Sequence, residues 1–232
     1  MNPNQTLCFT VSDRLTCPIC KSINTIKNGR TKNKKQQYCC KECGKRFIDQ
    51  YTYHGYLPYI NKQIVTLTKE GMGIRSIARV LAISATTVLK KIIAIAHTVK
   101  RPPINKEKTY EIDEICTFIK RKSKKIWIAY AMERYSKIVV NFCVGARTNK
   151  TLGYVLNTLK QSNTKNIYTD GLRNYKYLLD KSIHRVVRYG TNHIERNNLT
   201  IRTHLKRLNR KTICFSRSLV VLAASLKIYF WG

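Results

Sequence analysis

Acidic residues are scarce in this chain: 12 Asp and Glu stand against 44 Lys and Arg in 232 residues, a formal net charge of +32. So large an excess implies a polyanionic partner, because each Lys or Arg placed on a phosphate backbone releases condensed counterions. Nucleic acid is the first candidate and an anionic membrane the second. Proline and glycine are also few, 5 and 10, while 43% of residues are hydrophobic. This excludes a disordered basic tail and leaves room for one large domain or two to three small ones. Long apolar runs are missing as well. One of the longest, Leu219 to Ala224, is closely flanked by Arg217 and Lys227 and falls far short of a membrane span. Met1 to Cys20 is polar and lacks the apolar stretch of a secretory signal. A reduced, cytoplasmic protein is expected, in which clustered cysteines are metal ligands rather than disulfides. There is no internal repeat and no low-complexity tract.

The charge is spread along the chain. Up to Lys108 there are 20 basic and 5 acidic residues, and from Thr109 onward 24 and 7, so both halves should meet the polyanion. Six of the nine cysteines lie between Cys8 and Cys43, whereas the longer apolar strands follow Thr109. Arg101-Pro102-Pro103 and the residues after it read as a stiff, solvated linker. The expected divisions are residues 1–55, 56–100, a linker at 101–108, and 109–232.

Cys17-Pro18-Ile19-Cys20 and Cys40-Lys41-Glu42-Cys43 are two C-x2-C pairs 19 residues apart. Each pair suits a tight turn that aims two thiolates at one ion, and the intervening stretch can return as a hairpin to close a tetrahedral zinc site. Gly44-Lys45 has the look of a zinc-ribbon knuckle. Cys39 competes as a ligand through a less typical spacing, and Cys8 reads as a small apolar residue. A module this small has little core, so structural zinc would supply folding energy. Lys27, Arg30, Lys32, Lys34 and Lys35 would decorate its loop, as phosphate contacts or as a solvated face.

From Ile60 to Ala96 the apolar residues follow a helical period in three runs. Gly71-Met72-Gly73 breaks the first helix from the second, and Ala82-Ile83-Ser84 forms a short turn in which Ser84 can cap the third. This is the pattern of a helix-turn-helix. Its last helix would present Thr86, Thr87, Lys90 and Lys91, with Ala85, to a DNA major groove. A plain three-helix bundle is the alternative.

In a chain so poor in acids, their positions are informative. Residues Thr109 to Ile119 read as a strand with Asp113 at its centre, where a carboxylate is costly unless compensated. Trp127 to Ala131 and Ile138 to Val144 should complete an antiparallel meander. A helix over Thr151 to Leu159 and a strand over Asn166 to Thr169 follow, ending at Asp170-Gly171. Carboxylates at strand ends of an α/β sheet are well placed to converge on an ion. The third acid, Glu195, lies in a helix that begins at Asn192 and carries Ile194, Ile201, Leu205 and Leu208 on one stripe. Arg202 shares the face of Glu195, about 10 Å along the axis, so a metal-bound carboxylate and a phosphate-gripping cation would stand side by side. Glu111 shares the strand face of Asp113 and is a reserve ligand. Glu114 points to the other face and reads as solvated or salt-bridged, and Glu133 and Asp180 as surface. His193 reads as a polar surface group within reach of phosphate.

These features together resemble the transposases of the insertion-sequence-1 type: the two cysteine pairs, the helix-turn-helix, Asp113-Glu114, Thr169-Asp170-Gly171, and Ile194-Glu195-Arg196-Asn197-Asn198 running on through Arg202 to Phe215-Ser216-Arg217-Ser218. One departure is Glu133, where the pattern leads us to expect Asp. The resemblance implies an α/β protein with a ribonuclease-H-like catalytic domain preceded by a small zinc ribbon and a helix-turn-helix domain. It implies Asp113, Asp170 and Glu195 as a DDE triad, Arg202 as a basic follower on the DNA backbone, and Mg2+, or Mn2+ in its place, at the triad. Such an enzyme would bind the terminal inverted repeats of its mobile element, cleave double-stranded DNA and transfer strands. It would work as a homodimer or larger assembly, in the nucleoid of a prokaryotic cytoplasm and away from membranes. The competing readings are a zinc and helix-turn-helix transcription regulator without catalysis, and a nuclease without strand transfer.

Overall fold

A computed structural model describes residues 15–48 and 53–232; Cys8 lies outside the described residues. Two compact units are present, Met1–Tyr56 and Leu57–Gly232. In the first, β1 (Thr25–Arg30), β2 (Gln36–Cys40) and β3 (Arg46–Ile48) form an antiparallel three-stranded sheet. Its only fully buried side chains of any kind are Cys17, Cys40 and Phe47 among the described residues. Three side chains are too small a core to hold a hairpin in water, so covalent or metal ligation must supply the rest.

The second unit opens with α1 (Ile60–Lys69), α2 (Ile74–Val80) and α3 (Ala85–Thr98). The predicted breaks fall at the glycine pair and at Ser84, whose Oγ accepts the Thr87 amide at 3.0 Å as an N-cap. The chain turns through 107° between α2 and α3, within the range of a helix-turn-helix. Ile60, Ile64, Ile77, Val88 and Ile92 form the core of these helices, and Ala224 and Ile228 from α7 (Leu219–Trp231) complete it. Gly71, in the turn after α1, has φ +72°, and a Cβ there would lie 1.8 Å from the carbonyl oxygen of His204. Only glycine permits that backbone and that approach.

The remaining residues build a five-stranded mixed sheet in the order β6-β5-β4-β7-β8. Its strands are β4 (Thr109–Ile119), β5 (Arg121–Glu133), β6 (Val139–Gly145), β7 (Asn166–Thr169) and β8 (His184–Arg185). The first three form the expected meander, with β5 longer than its apolar stretch because its polar half, Arg121 to Lys125, pairs with the end of β4. The chain then crosses through α4 (Asn149–Lys160) and places β7 parallel to β4. Strand alternation sends Tyr110, Ile112, Ala129 and Ala131 to one face, where α4 and α5 (Arg173–Leu178) cover them. Ile115, Ile128 and Tyr130 go to the other, under α6 (Asn192–His204) and α7. Each of these isoleucines removed from water stabilises the fold by about 1.5–3 kcal/mol.

The helix from Asn192 is shorter than its apolar stripe suggests. It ends at His204; Leu205 is in extended backbone and Leu208 in a 3-10 turn, yet both are buried. The Arg202 guanidinium donates to the Leu208 carbonyl at 2.9 Å and holds this turn against the helix end. No single helix among the described residues is long and apolar enough to cross a membrane.

Candidate functional site

In the first unit the four thiols of Cys17, Cys20, Cys40 and Cys43 lie within 4.8 Å of one another, with Sγ pairs at 3.5 Å between Cys17 and Cys43, Cys20 and Cys40, and Cys20 and Cys43. Tetrahedral thiolates around one zinc ion stand roughly 3.8 Å apart, so the donor set fits that metal. Gly44, with φ +68°, lets the chain turn back after the second pair, and its amide donates to the Cys40 carbonyl at 2.9 Å. Cys39 is outside the cluster, its thiol directed at the Cys40 and Gly44 carbonyls.

In the sheet, β4 and β7 are registered so that Ile112 lies beside Thr169. The next residues of the two parallel strands are Asp113 and Asp170, brought side by side where β7 ends. Carboxylate oxygens of Asp113, Asp170 and Glu114 lie within 4.8 Å of one another. Burial pushes the Asp113 carboxyl up to about 6; the negative charges of Glu114 and Asp170 add to the rise, while hydrogen bonds from the Glu114 amide and the Asn198 side chain offset part of it. Those bonds are 2.7 Å and 2.6 Å long and fix both carboxylate oxygens.

Of the two readings of Glu114, the salt-bridged one holds: it lies on the face opposite Asp113 and is buried rather than solvated. Arg147 grips it through Nε at 3.1 Å and Nη2 at 2.7 Å, and the Tyr175 hydroxyl donates to its other oxygen. The same guanidinium reaches within 3.9 Å of Asp170 and lies over the Trp127 ring. Burial would lower the Arg147 pKa, but the Glu114 hydrogen bond and charge raise it overall. Neither Arg147 nor Tyr175 stood out in sequence; both come from elements whose position against Glu114 only the crossover sets.

Glu111 is not a reserve ligand. Its side chain is fully buried, accepts the Ile194 amide at 2.9 Å and His193 Nδ1 at 2.7 Å, and pairs with Arg134 at 3.4 Å. It thereby caps the start of α6 from the neighbouring strand. Glu133 is buried too, accepting the amides of Tyr135 and Ser136 in the turn to β6, and Asp180 is exposed as expected.

Helix α6 is fastened to β4 at two points, Ile194 on Glu111 and Asn198 on Asp113. Glu195 lies between them but is exposed, accepts the Thr191 hydroxyl at 2.7 Å and does not join the carboxylate group. Asn198, missed in sequence, was legible only as the residue three positions beyond Glu195 and so on its side of the helix. Arg202 is half-buried and engaged with Leu208; burial and the charge of Arg210 lower its pKa. On α3, Thr86 and Lys90 are exposed, Lys91 donates to Asn61 at 2.8 Å, and Thr87 meets the capping Ser84 hydroxyl at 2.9 Å.

The stretch that carries all of these acids matches a family model described as IS1 transposase, over residues 108–230. The chain belongs to the IS1 transposase family. Among its relatives, insertion element iso-IS1n protein InsB of Shigella dysenteriae is 38% identical over 111 residues, 48% of this chain and 85% of that protein. Insertion element IS1 2 protein InsB of Escherichia coli (strain K12) is 38% identical over 108 residues, 47% of this chain and 65% of that protein. A solved structure of a simian T-cell lymphotropic virus intasome with PP2A regulatory subunit B56 gamma covers 72% of this chain and 67% of its own at 14% identity, with a TM-score of 0.36, too slight a likeness to carry an argument. As an IS1-family transposase, the chain has its zinc-suited cysteines and three-helix segment outside the matched residues.

Proposed function

We propose that this chain binds the terminal inverted repeats of its own element and catalyses metal-dependent DNA cleavage and strand transfer from a ribonuclease-H-like catalytic domain. The observation that carries the reading is the approach of the Asp113 and Asp170 carboxylates just past the last paired residues of the two parallel strands, with α6 fastened to the first of them through Asn198. A DDE site needs carboxylates on two neighbouring strands and a third on a helix laid along them, and Glu195 lies on that helix. From its present partner Thr191 the Glu195 side chain would rotate toward Asp113 to complete the triad.

Divalent ions, Mg2+ or Mn2+, held by Asp113, Asp170 and Glu195 would supply positive charge to the entering and leaving oxygens. Three close carboxylates repel one another, and an all-oxygen donor set suits such ions. Asp113, with its carboxyl at about 6, is mostly ionised at neutral pH. Asn198 and the Glu114 amide hold its two oxygens in one orientation, while Arg147 neutralises Glu114 beside it. In each step an oxygen of water or of a 3′-hydroxyl bonds to phosphorus, the bond from phosphorus to the leaving 3′-oxygen breaks, the proton of the nucleophile passes to solvent, and the leaving oxygen takes up a proton from solvent to become a 3′-hydroxyl. Arg202 is assigned to the DNA backbone beside the site. Thr86, Thr87, Lys90 and Lys91 on the third helix of residues 56–100 are assigned to double-stranded DNA at the transposon ends. Zinc at Cys17, Cys20, Cys40 and Cys43 would make residues 1–55 a folded DNA-binding module. Synapsis of two ends calls for a homodimer or larger assembly on DNA, within the nucleoid.

The test is incubation of the full chain with Mg2+ and a labelled duplex carrying the element's end. Nicking and joining are expected from the unaltered chain, with loss of both in Asp170→Asn and Glu195→Gln. A chain that binds the duplex but never cuts it, or an Asp170→Asn variant that still cuts, would refute the assignment.

A further inference from the structure

Beyond the site, β4 and β5 continue as a two-stranded ribbon. Pairing of β4 with β7 stops at Ile112 and pairing of β5 with β6 starts at Trp127, whereas the ribbon runs on through Phe118 opposite Lys125 to Ile119 opposite Arg121. Lys120, Arg121, Lys122, Lys124 and Lys125 occupy its tip, all exposed, and none joins a salt bridge among the described residues. The sequence places no acid between Ile115 and Met132, nor from Arg196 to Gly232. Five like charges on six successive residues repel one another, a repulsion that a polyanion would relieve.

The ribbon is also firmly rooted. Ile119 and Ile126 are buried in the sheet core, Phe118 meets the Phe215 ring edge-on, and the Lys120 amide donates to the Ser216 carbonyl at 2.9 Å. Exposed Arg217 follows at the root. Side chains alternate across the ribbon, so both of its faces carry positive charge. The tip has no apolar side chain to insert between lipids, which disfavours a membrane surface. Four of its five cations are lysines, point charges that suit phosphate better than the bidentate reading of bases.

We infer that this ribbon is a sequence-independent clamp for the DNA phosphate backbone, separate from the helix that is assigned to the transposon ends. Strand rise puts its tip about 20 Å from Asp113 along β4, or about six base pairs of duplex at 3.4 Å each. DNA lying on the ribbon would therefore run toward the carboxylates. The inference rests on the transposase reading for its partner but not for its test.

The experiment compares the full chain with an Arg121→Gln, Lys122→Gln, Lys124→Gln, Lys125→Gln variant and with a Lys122→Gln, Lys124→Gln pair. Affinity for a random-sequence duplex, for a duplex bearing the element's end and for phosphatidylserine vesicles is measured against salt concentration. The slope of log affinity on log salt for random duplex should fall by about 2–4 in the first variant and by about 1–2 in the pair. Lysine-to-arginine changes at the same places should leave it unaltered, and the preference for end over random duplex should persist. An unchanged slope, a loss confined to the end duplex, or a loss confined to vesicles overturns the clamp. If instead the unaltered chain shows no preference for ends, the transposase assignment fails while the slope on random duplex still decides the ribbon.

Discussion

Asp113 should be a residue that weakens the metal-free protein and yet is required for its activity. Its carboxyl stands at about 6 against an ordinary 3.8, chiefly through burial. A raised acid pKa means that the folded state resists ionisation. The penalty is absent below pH 4, where the group is protonated folded or unfolded, grows between pH 4 and 6, and is complete above. Two pKa units correspond to about 3 kcal/mol. Asp113→Asn removes the charge and keeps an acceptor for the Glu114 amide, but sets an amide against the Asn198 amide, at a cost of about 1 kcal/mol. The variant should therefore be more stable than the parent by about 1–2 kcal/mol at pH 8 in magnesium-free buffer, with no gain at pH 4. Urea unfolding followed by tryptophan fluorescence measures this directly, because Trp127 and Trp231 both belong to the unit Leu57–Gly232. A variant that is less stable at pH 8, or equally favoured at pH 4, would refute the account of the site.

Three further outcomes are expected. Glu111→Ala should cost about 3–5 kcal/mol in the same urea assay, since it strands the part-buried Arg134 and the Ile194 amide; a loss below 1 kcal/mol would show that the carboxylate does not hold α6. Gly71→Ala should lower stability by at least about 1–3 kcal/mol from its left-handed backbone alone, with the contact to His204 adding to it, and an unaltered midpoint would contradict the close approach. A strong chelator should unfold the hairpin of residues 15–48, seen as loss of its dispersed amide resonances, while tryptophan fluorescence from the second unit stays constant. Resonances that survive chelation would exclude a structural metal.

Much of this arrangement is legible in the chain itself. The cysteine pairs meet because two tight turns and a hairpin are local structures. The strand over Thr109–Ile119 and the short one ending at Thr169 have the predicted bounds, because alternation and turn residues act over a few positions. Glu114 shows the limit of that reading. Parity along a strand told which face it takes, but not that Arg147 and Tyr175 stand on that face to receive it. Glu111 is similar: its shared face with Asp113 suggested metal, whereas the helix start above it takes the carboxylate.

The sequence alone determined the chemistry available: a basic surface, few acids, four paired thiols, and helical and strand periods that depend on neighbours within a turn or two. Tertiary structure decided which partners each acid meets. A buried carboxylate is governed by whatever donor or cation packs against it, and those partners arrive from 33 and 61 residues away for Glu114 and from 83 away for Glu111. That pairing depends on how β7 crosses over beside β4 and how α6 lies along it, an arrangement no local pattern encodes.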